Sequence, residues 1–317
     1  MSFTSDVKAE ICLDELDDYQ AKAQLCALFQ VKATLHMNWQ GMYVSFQMKN
    51  AGIIKHIFNL VKRLYKADCR LSVLKKMQLK KNNIYRLQIF DRADEILEDL
   101  MILNDTGLHS TPPYKWVRSE KNARAYLQGC FLAGGSVNSP KTTNYHCEIA
   151  VANAQLAGAI AKQMERFYLP ARVIERKSLW IVYMKAGDKI ADFLRLCSAS
   201  NALFQFEDSR IQRDFYNQLT RLDNCEVANE MKAFKAAREQ LECIEILESN
   251  RASLRIPEKI VRVMDVRKKH PEANINELCD EMYAEYGETI SKSGMKHRLS
   301  KIRTMAAPWR DPDEKKE

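Results

Sequence analysis

The chain has 317 residues, of which 46% are hydrophobic and 28% are charged, and it carries a formal net charge of +8 at pH 7. These proportions are typical of a folded globular protein and exclude a disordered or fibrous chain. No apolar run reaches the roughly 18 residues that a membrane-spanning helix needs, and the polar N-terminus lacks a signal-peptide core. We therefore expect a cytoplasmic protein without a membrane partner, and its basic charge favours a polyanion such as nucleic acid.

Nine cysteines and six histidines are scattered along the chain, without a Cys-x-x-Cys pair or two histidines at ligand spacing. Most cysteines fall within apolar helix or strand patterns, so we predict reduced core thiols and no disulfide framework. The sequence predicts neither a metal site nor a cofactor.

The first hundred residues follow the order helix, helix, strand, strand, helix, strand, strand, helix. Trp39-Gln40-Gly41 separates two short alternating runs and predicts a hairpin. Later apolar residues recur at helical spacing and predict the third helix. The predicted elements are helices 4–16 and 18–31, strands 34–37 and 42–48, helix 53–66, strands 71–79 and 84–90, and a helix that Asp91 caps.

The second hundred residues repeat this order. Their predicted elements are helix 120–133, strands 136–137 and 144–151, helix 153–168, strands 172–175 and 179–184, and helix 188–198. We therefore predict an α+β fold, in which a duplicated αββαββα domain precedes an all-α domain. The first half of the duplication covers residues 1–103, the connector 104–119 and the second half 120–205.

The stretch 123–137 predicts a helix with small residues on one face and two glycines at its end. Gly129 and Ala133 lie four residues apart, which lets another backbone approach closely. Gly134-Gly135 is expected to end the helix through the left-handed conformation that glycine tolerates. A weaker copy occurs at residues 23–35, so we predict that the two helices pack on each other along a pseudo-twofold axis.

Strand patterns end near residue 208. The spacing of apolar residues then predicts two antiparallel helices, 209–222 and 226–248, joined by a turn at Asp223-Asn224-Cys225. Together they make a helical connector that we assign to residues 206–253.

Residues 254–306 predict three further helices in the outline of a helix-turn-helix domain. Asn274 and Glu277 form a capping box that opens the second helix, and Ser291 caps the third. The buried stripe of the third helix is predicted to consist of Met295, Leu299 and Ile302. We predict that the last residues, 307–317, are a disordered tail.

The outward face of the third helix is basic, because residues 291–304 contain no acid. A merely solvated basic helix is the alternative, but the cap and the turn match a recognition helix for double-stranded DNA. Residues early in such a helix reach base edges, whereas later ones such as Lys301 and Arg303 contact phosphates, and Arg298 suits either role. The predicted DNA-binding residues are Ser291, Lys292, Ser293, Lys296, His297, Arg298, Lys301 and Arg303.

A second basic set lies between residues 62 and 81. As part of a strand pair, it is a candidate floor for a groove that holds a phosphate backbone. An exposed basic edge that discourages strand pairing is a nearly equal alternative. The set comprises Lys62, Arg63, Lys66, Arg70, Lys75, Lys76, Lys80 and Lys81.

The two small-residue helices, each leading into a sheet, resemble the LAGLIDADG homing endonuclease fold. Leu127-Gln-Gly-Cys-Phe-Leu-Ala-Gly-Gly-Ser136 aligns with that motif over its full length, and residues 25–34 are the weaker copy. In the nucleases, the acidic residue before the terminal glycine holds the metal ions. Gly134 and Lys32 occupy this position here, and neither offers a carboxylate to a divalent cation.

A degenerate nuclease domain joined to a helix-turn-helix resembles the WhiA family of bacterial regulators over nearly the whole chain. The most specific segments are 2–8, 129–137, 221–229 and 291–299. The resemblance implies a non-enzymatic transcriptional regulator of cell division and chromosome segregation, or of sporulation in sporulating relatives. We further expect nucleoid association, with the first domain as a candidate binding surface for another regulatory protein.

Two alternatives come from other functional classes. One is an active Mg-dependent site-specific DNA endonuclease of the homing type, against which the missing acids at Lys32 and Gly134 argue. The other is a protein-interaction scaffold with an accessory DNA-binding domain, in which the first domain binds a protein and not DNA.

Overall fold

The computed structural model describes residues 2–39, 41–74, 83–105 and 107–310. The chain divides into two compact units, Met1–Asp214 and Phe215–Glu317. Four lysines of the second basic set, Lys75, Lys76, Lys80 and Lys81, lie outside the described residues, as does the segment 311–317. None of the described helices is both long and apolar enough to cross a bilayer.

The first half of the first unit is built around one antiparallel sheet of strand order β1-β2-β4-β3. Asn38 pairs with Gly41 across the predicted hairpin. The elements are α1 (Phe3–Ile11), α2 (Asp18–Lys32), β1 (Thr34–Asn38), β2 (Gly41–Met48), α3 (Ala51–Tyr65), β3 (Cys69–Leu74), β4 (Ile84–Ile89) and α4 (Ala93–Asp99). The predicted connector contains three short elements, β5 (Leu103–Asn104), β6 (Gly107–Leu108) and α5 (Tyr114–Val117).

The second half repeats this arrangement with strand order β7-β8-β10-β9. Its elements are α6 (Glu120–Gly134), β7 (Gly135–Val137), β8 (Cys147–Val151), α7 (Ala154–Glu165), β9 (Arg172–Arg176), β10 (Leu179–Met184) and α8 (Gly187–Leu196). Because the order of elements and the order of strands are the same in both halves, the predicted duplicated αββαββα fold is confirmed.

Helices α2 and α6 form the centre of the first unit. Gly129 faces α2, where an added Cβ atom would lie 2.3 Å from the Gln24 carbonyl oxygen and 2.8 Å from Ala27 Cβ. Ala27 and Gly129 are matched positions of the two motif copies, so small residues meet where the helices cross. Gln24 Nε2 also donates a hydrogen bond to Gln128 Oε1 at 3.1 Å, and both side chains are buried.

The two glycines at the end of α6 have another role than the predicted one. Gly135 caps the helix at φ −79° and ψ 150°, which is extended backbone and not the left-handed conformation. An added Cβ at Gly134 would lie 2.3 Å from the Ala150 carbonyl oxygen, and one at Gly135 would overlap the Phe131 ring at 2.2 Å. Glycine is needed here for close packing, and the expectation of a left-handed turn was wrong.

The predicted pair of antiparallel helices is instead one helix, α9 (Ser200–Ser249). Asp223 and Asn224 have low helix propensity, but each costs only a few tenths of a kcal/mol and no Gly or Pro interrupts the segment. The predicted turn and its apolar seam were therefore wrong. Seam residues such as Phe215, Met231 and Phe234 are exposed.

The second unit has its own core, to which the end of α9 contributes Cys243, Ile244 and Leu247. Three helices complete it, α10 (Glu258–Lys269), α11 (Ile275–Tyr286) and α12 (Lys292–Ala306). The capping box of Asn274 and Glu277 is present as predicted. Residues 307–309, which were predicted to belong to the disordered tail, form a short 3-10 helix directly after α12.

All nine cysteines are free thiols. Those of the first unit's core are fully buried, and burial raises the pKa of Cys147 to about 12. A thiol with such a pKa stays protonated and unreactive at neutral pH. Cys225, on α9, is exposed.

Candidate nucleic-acid interface

The start of α12 is fixed by its own cap and by the end of the preceding helix. Gly287 ends α11 in the left-handed conformation at φ +63°, where an L residue would be strained. Three residues of turn follow, and the Ser291 hydroxyl accepts a hydrogen bond from the Gly294 amide at 3.2 Å. Ile290 packs on the same core as Met295. The chain therefore enters α12 in one defined direction.

The buried stripe of α12 consists of Met295, Leu299 and Ile302 as predicted, with Ala306 added at the end. Since these residues share one face, the opposite face is left to solvent. Seven of the eight predicted DNA-binding residues are exposed, namely Ser291, Lys292, Ser293, Lys296, His297, Lys301 and Arg303.

No acid lies within α12. Within the described residues, Arg303 has a distant partner, with Nη1 4.0 Å from Glu239 Oε2, and 68% of the Arg303 side chain is exposed. Such a solvated pair is worth little and does not hold the guanidinium. The exposed face of α12 is thus a positive surface of the kind that phosphate groups neutralise.

Arg298 differs from the other predicted residues. Its guanidinium donates to Glu288 Oε1 in the turn before α12, and only 17% of the side chain is exposed. This bond lowers the pKa of Glu288 against the opposing effect of burial. These contacts favour a role for Arg298 in bracing the turn before α12 over the predicted contact with DNA, which stays a prediction.

Two acids of α11, Glu281 and Glu285, contact the end of α10. Lys269 Nζ lies 2.6 Å from Glu285 Oε2, and His270 Nε2 lies 3.5 Å from both Glu281 and Glu285. Sequence reasoning treated the histidines as isolated and missed this cluster. The i, i+4 spacing of the two glutamates was its one available signal. Because a lysine already compensates Glu285, we read the cluster as an ion-pair network between two helices.

Three of the four described members of the second basic set contact neighbouring side chains. Lys62 Nζ lies 2.8 Å from Asp68 Oδ1, and Arg63 Nη2 lies 3.5 Å from Asp18 Oδ1. Arg70 lies on β3, the edge strand of its sheet, with its guanidinium 5.3 Å from the centroid of the Phe90 ring. Lys66 is the exposed C-cap of α3. These contacts favour the interpretation of a basic edge over that of a groove floor.

The two positions that hold metal ions in the nucleases lie at the ends of α2 and α6. Lys32 is the exposed last residue of α2, and its ammonium group would repel a divalent cation. Gly134 is closed to any side chain, because the Ala150 carbonyl oxygen occupies the place of its Cβ. The described residues therefore offer no carboxylate from either motif position.

Comparisons with known proteins agree with this geometry. Residues 18–103 match the family described as the WhiA N-terminal LAGLIDADG-like domain, 123–216 the WhiA LAGLIDADG-like domain, and 219–306 the WhiA C-terminal HTH domain. The chain is 38% identical over 314 residues to the "Probable cell division protein WhiA" of Staphylococcus aureus strains NCTC 8325 and Newman, which covers 99% of this chain and 99% of each relative.

Two solved structures share the fold. Full-length DUF199/WhiA from Thermatoga maritima is similar with a TM-score of 0.61 and 20% identity, over 98% of this chain and 100% of that one. The N-terminal LAGLIDADG domain of DUF199/WhiA is similar with a TM-score of 0.50 and 20% identity, over 62% of this chain and 90% of that one.

Proposed function

The chain belongs to the WhiA family, and we propose that it is a regulator of cell division that binds double-stranded DNA through α12 and has no nuclease activity. The observation that carries this proposal is the exposed, acid-free basic face of α12 in a capped helix-turn-helix. Its Staphylococcus relatives are named as probable cell division proteins. We further propose that it acts in transcription and chromosome segregation and associates with the nucleoid. In relatives that sporulate, the corresponding role is in sporulation.

The exposed side chains of α12 are proposed to contact different parts of the DNA, according to their position along the helix. Lys292, Ser293, Lys296 and His297 lie in the first two turns, where a recognition helix meets base edges. Lys301 and Arg303 lie further along and are proposed to contact phosphates. Arg298 is proposed to support both groups indirectly, because its bond to Glu288 holds the turn that sets the direction of α12.

The absence of nuclease activity rests on the two motif positions. Metal-dependent phosphodiester hydrolysis needs carboxylates that hold the cations at the scissile phosphate. Lys32 brings a positive charge to one position, and Gly134 has no room for a side chain at the other. The proposal that the first unit also binds another regulatory protein stays a prediction.

The test uses the full chain and DNA ligands selected from a random duplex library. We expect Lys296→Ala to weaken binding to the selected sequence by about 1–3 kcal/mol with little effect on random DNA. Lys55, exposed on α3 in the first unit, provides the matched control Lys55→Ala. Unchanged binding for Lys296→Ala and Lys301→Ala on both kinds of DNA would remove α12 as the DNA-binding element.

A further inference from the structure

A cavity of about 500 Å³ opens in the first unit beside the ends of α2 and α6. Its size falls within the range of small-molecule sites, about 300–1,000 Å³. The described residues that line it come from both halves of the duplication and include no acid. They are Lys8, Lys32, Gln47, Met48, Lys49, Asn50, Ile53, Ile84, Leu132 and Ala133.

Three lysines from separate elements converge on this cavity. Lys8 lies on α1, Lys32 ends α2, and Lys49 follows β2. In the described part of the chain, none of the three ammonium groups forms an ion pair with a carboxylate. Like charges that converge without a counter-ion repel each other, which is the arrangement of a site that an anion completes.

Lys8 is the most buried of the three lysines. It is half-buried, and its Nζ lies 5.6 Å from the centroid of the Phe131 ring. The pKa of Lys8 is lowered to about 8, mainly by burial, which the neighbouring Cys12 opposes and the charge of Lys32 reinforces. An anion in the cavity would stabilise the charged form of Lys8.

The remaining lining adds a helix end and an apolar wall. Asn50 caps α3, and its Oδ1 accepts from the Gly52 amide at 2.8 Å, so the positive end of this 15-residue helix adjoins the cavity. Apolar side chains accompany the charged groups: Ile84 and Ala133 are half-buried, and Met48, Ile53 and Leu132 lie almost fully buried behind them.

We propose that this cavity binds a small phosphorylated ligand of the nucleotide class, whose phosphate groups contact Lys8, Lys32 and Lys49 while its base lies on the apolar wall. More than one phosphate suits three converging ammonium groups. The site is independent of α12 and would give the first unit a ligand-sensing role beyond the proposed DNA binding.

The experiment is isothermal titration of the full chain with ATP, ADP and pyrophosphate in the absence of magnesium. We expect ATP to bind more tightly than pyrophosphate, since the apolar wall contributes only to the nucleotide. Lys32→Met and Lys49→Met, both at exposed positions, should each weaken ATP binding about tenfold or more, which is the loss expected for one charged hydrogen bond. Lys55→Met, outside the cavity, should leave it unchanged.

Three outcomes would overturn the proposal. The first is the absence of binding tighter than about 1 mM for all three ligands. The second is an ATP affinity that Lys32→Met and Lys49→Met leave at the level of the parent chain, with melting temperatures that show both variants folded. The third is displacement of ATP by a short DNA duplex whose own affinity falls in Lys32→Met, which would assign the lysines to the DNA backbone.

Discussion

The carbonyl oxygen of Gln24 lies opposite Gly129, in the place that a side chain at residue 129 would need. An added Cβ would come within 2.3 Å of that oxygen, well inside van der Waals contact. The carbonyl belongs to the backbone of α2 and cannot turn away as a flexible side chain could. The crossing of α2 and α6 therefore depends on the absence of a side chain at this residue.

Gly129→Leu should lower the free energy of unfolding by about 1–3 kcal/mol or more, because the two helices would have to separate. Gly158 supplies the control, since it lies within α7 and an added Cβ would meet nothing within 4 Å. Gly158→Ala should be neutral or stabilising by up to about 1 kcal/mol. Denaturant unfolding of both variants tests this, and equal stability of Gly129→Leu and the parent would contradict the close crossing.

His56 makes the stability of the first unit depend on pH. Its pKa is lowered from 6.5 to about 4, mainly by burial and also by the charge of Arg63, against the opposing effect of a hydrogen bond with the backbone of Cys12. The neutral ring donates from Nε2 to Gln24 Oε1 at 2.6 Å. Between pH 6.5 and pH 4, His56 is protonated in the unfolded chain but stays neutral in the folded chain. The contribution of His56 to stability is therefore complete above pH 6.5 and declines towards pH 4.

The measurement is denaturant unfolding of the parent and of His56→Gln at several pH values between 7 and 4. The difference in stability between the two chains should shrink as the pH falls through this window. A difference that stays constant would show that His56 titrates alike in the folded and unfolded states.

Lys301→Ala should weaken binding to selected and random DNA alike. The loss of one phosphate contact should also lower the slope of log K against log salt concentration by about 0.9. Lys296→Ala should instead reduce the preference for the selected sequence. Fluorescence anisotropy across a salt series distinguishes the two, and an unchanged slope for Lys301→Ala would exclude it as a phosphate contact.

Arg298→Met should act on stability and not through a lost phosphate contact. Its removal leaves Glu288 without its main partner, at a cost of about 1–3 kcal/mol. The salt slope of the folded variant should match that of the parent chain, in contrast to Lys301→Met. Should Arg298→Met retain full stability and lower the salt slope, Arg298 would belong with the DNA-contacting residues after all.

The full chain should not cleave DNA. Supercoiled and linear DNA incubated with Mg²⁺ or Mn²⁺ should stay intact, because neither Lys32 nor Gly134 provides a metal-binding carboxylate. Chelator-sensitive cleavage that follows the purified protein through every column step would refute this prediction.

Much of the fold follows from local signals in the sequence. The hairpin before Gly41, the capping box at Asn274 and the cap at Ser291 each depend on residues that are neighbours in the chain. The continuous helix α9 was not predicted. Asp223 and Asn224 are common in turns, but they are also tolerated within a long helix. Their effect is decided by the helix-forming residues on both sides.

The site was predictable only in part. The exposed face of α12 follows from its periodicity, since three buried positions determine which residues face solvent. The pairing of Arg298 with Glu288 joins α12 to the turn before it. Helical periodicity cannot show that the Arg298 side chain contacts this turn and not solvent. The cavity lysines lie on three separate elements, so only the fold brings Lys8 close to Lys32.

The closed space at Gly134 bears on how this protein can evolve. A lost functional residue is easily regained by a single codon change while the room for its side chain remains. Here the carbonyl of Ala150 has filled that room, and Gly134→Asp would meet a steric barrier before it could bind a metal. Lys32 would have to change as well, with no benefit from either step alone. A metal-binding carboxylate at each motif position would therefore need two substitutions and a shift of the β8 backbone together, which no single mutation supplies.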